Sequence, residues 1–118
     1  MSDTTRIVNL TPHPVSLIGD DWETTVIIPS SGLVRVDQWL EEIGQIEVDG
    51  LSVPIVEVHF GEVQGLPAPE PGTQLIVSLI AAQRIRAEHP ERNDIVVIAK
   101  PVRDNQGRIV GAQALARV

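Results

Sequence analysis

Apolar and polar positions alternate along the first forty residues in short runs that turn residues separate. The runs cover residues 6–10, 14–19, 24–29 and 33–40, and they are rich in Val, Ile and Leu. Successive side chains of a strand point to opposite faces, so such runs are typical of β-strands. Prolines and glycines lie between them and favour turns. The pattern therefore predicts four short strands.

The middle of the chain contains a strong hairpin signal at Asp49 and Gly50. Both residues tolerate a positive φ, which tight hairpin turns require. A long alternating run follows at 51–63, and Val56 and Val58 share one face of it. The first 63 residues thus predict an antiparallel β region.

The period of the pattern changes in the second half of the chain. Residues 64–72 contain three prolines and two glycines, which favours a stiff loop or an edge segment. A continuous apolar run at 73–78 predicts a strand buried on both faces. It is followed by a helical pattern at 79–89, with Ser78 as its N-cap, and by a second apolar strand at 94–99. This order predicts a βαβ unit with parallel strands.

The last region predicts a β-hairpin. Asn105 and Gln106 suit a type I turn between two strand-like runs, and Gly107 suits the left-handed position that follows.

Together these elements predict an α+β fold over a single domain, residues 1–118. The expected sheet is mixed but mainly antiparallel, with one principal helix in the βαβ unit near 73–99 and the C-terminal hairpin. A sheet with so little helical cover leaves apolar surface, so we expect a homo-oligomer, dimeric or larger. The expected core consists of Val56, Val58, Leu75, Val77, Leu79, Ile85, Val96, Ile98, Ile109 and Leu115.

Composition excludes several classes of function. The chain has no cysteine, which excludes disulfides and thiolate chemistry, and only 3% aromatic residues, too few for the stacking platforms of single-strand nucleic-acid binders. No apolar stretch approaches the roughly 20 residues of a membrane-spanning helix. The polar start MSDTTR lacks an apolar signal core. We therefore expect a cytoplasmic protein with no membrane partner.

Charge is divided unevenly along the chain, whose net charge is −7. Residues 1–80 contain twelve acids and two bases, whereas residues 81–118 contain seven bases and four acids. An acidic protein is poorly suited to long nucleic acids, because their binding depends on neutralising many phosphates. The arginines of the last third suit a small phosphorylated ligand, or they form a surface dipole with no ligand.

His13 stands between two prolines in the stretch NLTPHP. Proline restricts the residue before it to extended geometry, so this segment is stiff. A stiffly held imidazole could act as a base, a ligand-binding group or a pH sensor. Alternatively, Asn9 and Thr11 organise a turn that merely contains His13.

The remaining histidines give weaker signals. His59 shares a strand face with Glu57, which suits either an imidazole–carboxylate pair or an ordinary polar sheet face. His89 suits the C-terminus of the helix, where a positive charge is favourable. The three histidines lack metal-ligand spacing, and there is no G-x-S-x-G motif. We therefore predict no metal, no cofactor and no catalytic residue, and an enzyme is the less favoured reading.

Ser78 marks a candidate anion site. It lies where a buried strand meets a helix N-terminus, which presents free N–H groups and partial positive charge. The candidate ligand-binding residues are the polar side chains near this point and in the NLTPHP turn, together with the C-terminal arginines: Asn9, Thr11, His13, Ser78, Arg84, Arg92, Asn93 and Arg103.

Three stretches resemble a family of small proteins from phages and bacterial prophages. They are NLTPHPV, FGEVQGLPAPEPGTQLIVS and RDNQGRIVGAQAL. The resemblance implies a phage or prophage source, hence the cytoplasm of a bacterial host, and adds no specific chemistry. The order of the first strand, LIVSLIAAQRI and the last strand is also similar in topology to small viral ring nucleases, dimers that bind and cleave cyclic oligoadenylate, which implies a nucleotide ligand. The positions that match the phage family are Asn9, Thr11, Pro12, His13, Phe60, Gly61, Gly65, Leu66, Pro67, Pro69, Gly72, Ser78, Arg92, Asp94, Arg103, Asp104 and Gly107.

Three functions follow as hypotheses. The first is a binding protein that sequesters a phosphorylated nucleotide signal of host immunity. The second is a protein-interaction module that inhibits a host factor through the acidic N-terminal half. The third is a ring-nuclease-like phosphodiesterase with His13 or His59 as general base. A structural role in a phage particle is a further alternative.

Overall fold

The computed structural model describes residues 5–118 and shows a mostly β protein with one short helix. The elements in chain order are β1 (Arg6–Asn9), β2 (Val15–Ile18), β3 (Thr25–Ile28), β4 (Arg35–Val48), β5 (Leu51–Gln64), β6 (Thr73–Ile76), α1 (Leu79–Glu88), β7 (Ile95–Arg103) and β8 (Ile109–Ala116). The predicted mixed sheet, principal helix and C-terminal hairpin are confirmed.

Six strands form one mixed sheet in the order β1-β6-β7-β8-β2-β3. The pairs β1–β6, β6–β7 and β2–β8 are parallel, and the pairs β2–β3 and β7–β8 are antiparallel. A further parallel bridge joins Asn9 to Ser30, beyond the end of β3. The two edges of the sheet therefore meet at this point, and the sheet is nearly closed like a barrel.

The predicted βαβ unit is present as β6–α1–β7. Ser78 caps the helix, and its Oγ accepts a hydrogen bond from the backbone N–H of Ala81 at 3.3 Å. His89 ends the helix, where its backbone N–H donates to the carbonyl of Ile85. The sequence signals at both ends of this helix are thus confirmed.

Both predicted hairpin turns are also confirmed. Asp49 and Gly50 adopt φ values of 49° and 83° between β4 and β5. In the C-terminal hairpin Gly107 has φ 80°, and its N–H donates to the carbonyl of Asp104 at 3.0 Å. The carboxylate of Asp104 accepts from the backbone N–H of Arg108, which holds the turn from inside.

The core lies between α1 and the parallel part of the sheet. Its fully buried members are Leu10, Val34, Leu75, Val77, Ala81, Ala82, Ile85 and Val97.

Half of the predicted core is correct. Buried side chains are found at Leu75, Val77, Ile85 and Val96, and Leu115 is partly buried. The prediction is wrong for Val56, Val58, Leu79, Ile98 and Ile109, which are 39% exposed or more. The first two belong to a hairpin that leaves the sheet, Leu79 opens the helix on the side away from the core, and the last two border an open groove.

The hairpin of β4 and β5 projects from the rest of the molecule. We call residues 35–64 the arm and the remaining described residues the body. Each strand of the arm has 14 residues, and the molecule extends 64 Å along its longest axis against 38 and 20 Å along the others. Only the base of the arm joins the core, through Val36 and Val63.

Between residues 5 and 118 no helix has the length and apolar character needed to cross a membrane.

Candidate functional site

The arm carries two apolar surfaces that lie on opposite faces. Strand partners share a face, and the register pairs Leu40 with Val58 and Ile46 with Val53. Counting along β5 by twos places these two pairs on opposite faces. We call the surface near the body the base face; it consists of Leu40, Val56, Val58 and Phe60. The surface near the turn is the tip face; it consists of Ile46, Val48, Leu51, Val53 and Ile55.

A β-bulge at Ile43 makes this change of face possible. The register skips Ile43 between the pairs Glu42–Val56 and Gly44–Ile55, so β4 contains one extra residue there. Opposite this bulge in β5, the apolar residues change from odd to even positions, because Ile55 and Val56 are adjacent and both apolar. Both strands therefore move their apolar side chains to the other face together.

The side of the arm opposite the base face carries a cluster around His59. The ring of His59 stacks on Trp39, with centroids 5.6 Å apart and planes at 16°. Its Nε2 lies 3.1 Å from Glu41 Oε2 and 3.5 Å from Glu57 Oε1, without hydrogen-bond geometry to either carboxylate. Glu41 and Glu57 face each other directly across the strands, so the imidazole lies between two charges that repel. The predicted closeness of His59 and Glu57 is confirmed, but on an exposed surface rather than in a pocket.

A second feature is a groove on the body, of about 510 Å³, where β6 ends and α1 begins. We call it the body groove. Most of its wall is apolar, and its polar side chains are those of Thr11, His13 and Ser78. Its lining residues are Thr11, His13, Pro14, Ile76, Val77, Ser78, Leu79, Val97, Ile98 and Ile109. A smaller depression shares Pro14, Ile98 and Ile109 with it and continues along β8.

The NLTPHP turn that borders this groove is held together by Asn9. The side chain of Asn9 is fully buried. Its Nδ2 donates to the carbonyls of His13 at 2.8 Å and Ile28 at 3.0 Å, and its Oδ1 accepts from the backbone N–H of Thr11 at 3.0 Å. His13 is exposed at the rim of the groove, so the turn presents its ring to solvent.

Three of the eight predicted ligand-binding residues meet at the body groove: Thr11, His13 and Ser78. Asn9 lies beneath them, and its amide is already engaged by the protein.

The other four predicted residues lie elsewhere and contact the protein itself. Arg84 Nη2 lies 3.3 Å from Glu88 Oε2, and Arg103 Nη1 donates to the carbonyl of Gly107 at 2.7 Å. Asn93 accepts a hydrogen bond at its carbonyl from Arg117. The structure therefore does not bring the predicted arginines together around one anion.

Arg92, the remaining predicted residue, forms a buried ion pair. Its Nε and Nη2 each donate to Asp94 at 2.9 Å, and Nη2 also donates to the carbonyl of Pro67 at 3.1 Å. The two side chains are 9% and 7% exposed. The hydrogen bonds from Arg92 hold the pKa of Asp94 below its usual value, and those bonds raise the pKa of Arg92. This pair ties the proline-rich loop to β7.

Sequence reasoning missed the arm surfaces. One signal could have revealed them: after the run at 33–40, apolar residues continue at Ile43, Ile46 and Val48 up to the Asp49-Gly50 turn. The turn therefore joins two strands of 14 residues, longer than the 3–10 residues usual for strands in a compact domain.

In the described part of the chain, residues 5–118, no cluster of three or more His, Asp or Glu side chains could hold a metal ion. Comparison with protein-family models, curated proteins and solved structures finds no match for this chain.

Proposed function

We propose that the protein is a protein-interaction module and that the arm is its binding element. One observation carries this proposal: nine aliphatic and aromatic side chains form the two faces of a hairpin that projects into solvent. Leu40 and Leu51 are 62% and 65% exposed. Large exposed apolar surfaces on soluble proteins mark sites of interaction, because burying them is favourable.

The charge of the arm indicates the chemistry of the partner. Residues 35–64 contain seven acids and a single base, Arg35. Acidic side chains beside apolar ones complement a partner with an apolar patch and a basic rim, and the charges accelerate association. If the phage or prophage source implied by the sequence holds, that partner would be a bacterial host factor which the module inhibits.

The experiment is a quantitative capture from bacterial lysate with three baits. The wild type is compared with Leu40→Thr/Val58→Thr, which removes apolar surface from the base face but keeps strand-forming residues. Gln45→Thr serves as the matched control, because it changes an uncharged polar arm position to the same residue. We expect the double variant to lose captured proteins at least tenfold and the control to retain them. The proposal of an interaction module would be refuted if every bait captured only background and the protein also did not self-associate.

A second candidate function is the binding of a small phosphorylated ligand, such as a nucleotide, in the body groove. It is supported by the meeting of Thr11, His13 and Ser78 beside the N-terminus of α1. A ligand at 100 times its Kd would add about 2.7 kcal/mol to stability, which a thermal-shift screen with nucleotides and cyclic oligonucleotides detects. The shift should disappear in His13→Ala and persist in His89→Ala. A flat screen would reject this candidate.

The phosphodiesterase hypothesis with His13 as general base uses the same groove. Formation of hydrolysed product from a cyclic oligonucleotide, abolished by His13→Ala, would support it, and the absence of product would reject it.

A further inference from the structure

We propose that the body groove is the docking site for the tip face of the arm of a second copy of this chain. The inference rests on the proposed function of the arm and goes beyond it by naming the partner and the surface that the arm enters.

The first argument is that the apolar side chains of the arm are exposed unless another surface buries them. A two-stranded hairpin by itself is at best marginally stable in water, and a third layer is needed to bury its side chains. The body covers only the base, at Val36 and Val63. The surface that buries them should be available whenever the protein is made. A second copy of the chain is such a surface.

The second argument is area. Fourteen residues at about 3.3 Å per residue give an arm of roughly 46 Å, and two strands are roughly 10 Å wide. Each face then offers about 450 Å², and the tip face covers roughly half of one face. In a reciprocal dimer each copy buries its own tip face and its own groove, so the two copies together bury about 900 Å², which lies at the small end of specific interfaces.

The third argument is the match between the tip face and the groove. The tip face is aliphatic, and it lies at the end of the arm farthest from its own body. The groove is also mainly aliphatic, with Ile98 and Ile109 exposed by 39% and 50%. Docking removes the exposed aliphatic side chains of both surfaces from water, which is favourable.

The fourth argument is charge. Asp49 lies in the turn next to the tip face, Glu57 follows Ile55 by two residues on the same side of the arm, and no base occurs from residue 36 to residue 64. On the strands that border the groove, Lys100 follows Ile98 by two residues, and Arg108, which pairs with Asp104 at 3.0 Å, adjoins Ile109. Arg103 is the register partner of Ile109. An acidic tip and a basic groove border attract each other and set the orientation of docking.

The test uses the absence of natural cysteine in the chain. Leu51→Cys places a thiol on the tip face, and Ile109→Cys places one in the groove. Ser52→Cys is the matched control, because Ser52 is the next residue and points to the opposite face. The variants carry tags of different size, are mixed in pairs under mild oxidation, and the mixed disulfide is quantified on a non-reducing gel. A disulfide forms only when the two Cα atoms approach to about 4.4–6.8 Å.

We expect the Leu51→Cys and Ile109→Cys pair to cross-link at least tenfold faster than the Ser52→Cys and Ile109→Cys pair. Equal rates, or preferential linking of Leu51→Cys to itself, would overturn the assignment of the groove. Thermal unfolding of each reduced variant checks that it is folded.

Sedimentation of the cysteine-free wild type separates this inference from the function on which it rests. We expect an oligomer at micromolar concentration. A monomer whose arm still captures other proteins, with loss in Leu40→Thr/Val58→Thr, would refute the second copy and leave the interaction module standing. A monomer that captures nothing would refute both.

Discussion

Asn9 is the residue on which the stiff turn before β2 depends. The two prolines around His13 predict rigidity from the sequence alone, since each restricts the residue before it. The sequence does not predict the hydrogen bond from Asn9 to the carbonyl of Ile28, because that partner lies 19 residues away and is positioned by the sheet. The sequence therefore names Thr11 and Ser78, which line the same groove, while the role of Asn9 as an internal support required the fold.

We predict that Asn9→Ala destabilises the protein by about 2–3 kcal/mol, because it leaves buried backbone groups without a partner. Urea unfolding at neutral pH measures the loss. Asn93→Ala is the control, since that side chain is exposed, and it should change stability by less than about 0.5 kcal/mol. Equal effects of the two variants would contradict the supporting role of Asn9.

The pair of Arg92 and Asp94 gives a second prediction at this scale. Arg92→Met should cost about 3–5 kcal/mol at pH 7, because it leaves a buried carboxylate without its cation. The exposed pair of Arg35 and Asp37 provides a control with the same spacing, and Arg35→Met should cost less than about 1 kcal/mol.

The pH dependence of the Arg92→Met effect follows from the lowered pKa of Asp94. A carboxyl whose pKa is lower in the folded state contributes stability above its unfolded pKa and loses it as the pH falls through the folded pKa. The difference between wild type and Arg92→Met should therefore be full at pH 7 and shrink below about pH 4. Urea unfolding at pH 7 and pH 3 measures it, and a constant difference would contradict the ion pair.

At the scale of elements, the sequence predicts the existence of every strand, the helix and both hairpin turns. It ends β4 near residue 40, where the structure continues this strand to Val48, and it predicts antiparallel pairing for β1, which pairs in parallel with β6. Periodicity and turn residues are local signals, and these elements follow them. What the sequence does not show is that β4 and β5 leave the sheet. Alternation indicates that one face is apolar, but it does not identify the surface that covers that face. The prediction that Val56 and Val58 belong to the core is wrong for this reason.

Gly65 fixes the point at which the arm leaves the body. It has φ 83°, and a Cβ there would lie 2.5 Å from the carbonyl oxygen of Leu33. Gly50 at the arm turn also has φ 83°, but a Cβ there would have no neighbour within 4 Å. Gly50→Ala should thus cost about 1–2 kcal/mol from backbone strain alone.

We predict that Gly65→Ala costs at least about 1 kcal/mol more than Gly50→Ala, because a clash with backbone adds to the same strain. Urea unfolding of the two variants side by side gives the difference. If Gly65→Ala were as mild as Gly50→Ala, the close approach at the base of the arm would be refuted.

At the scale of the whole molecule, body and arm differ in how they are stabilised. The body has the core, the helix and a nearly closed sheet, whereas the arm has cross-strand pairs and an apolar surface on each face. We predict that joining Asp37 to Gly61 through an Asn-Gly turn, which removes residues 38–60, leaves a body that unfolds cooperatively. Thermal unfolding followed by circular dichroism checks this, and a broad transition without cooperativity would show that the body requires the arm.

The uneven charge gives a further prediction for the whole molecule. If acidic tips bind basic groove borders, raising NaCl from 50 to 500 mM should weaken self-association at least several-fold, because salt screens exposed charges. Sedimentation equilibrium at the two salt concentrations measures the change. Association that strengthens with salt would indicate a contact that depends on apolar surface alone.

The place of the arm in the chain has a consequence for how such a protein could diversify. The arm is an excursion between β3 and β6, and both of its ends return to the same point of the body. The entropy of closing an excursion grows only slowly with length, by about 0.6 kcal/mol per doubling, so the body tolerates arms of many lengths. Matched insertions of two residues in each strand would extend the reach and preserve both faces. A single residue inserted in one strand would move every later side chain of that strand to the opposite face, as the bulge at Ile43 already does. The length of the arm and the face that carries its apolar side chains can thus change independently of each other.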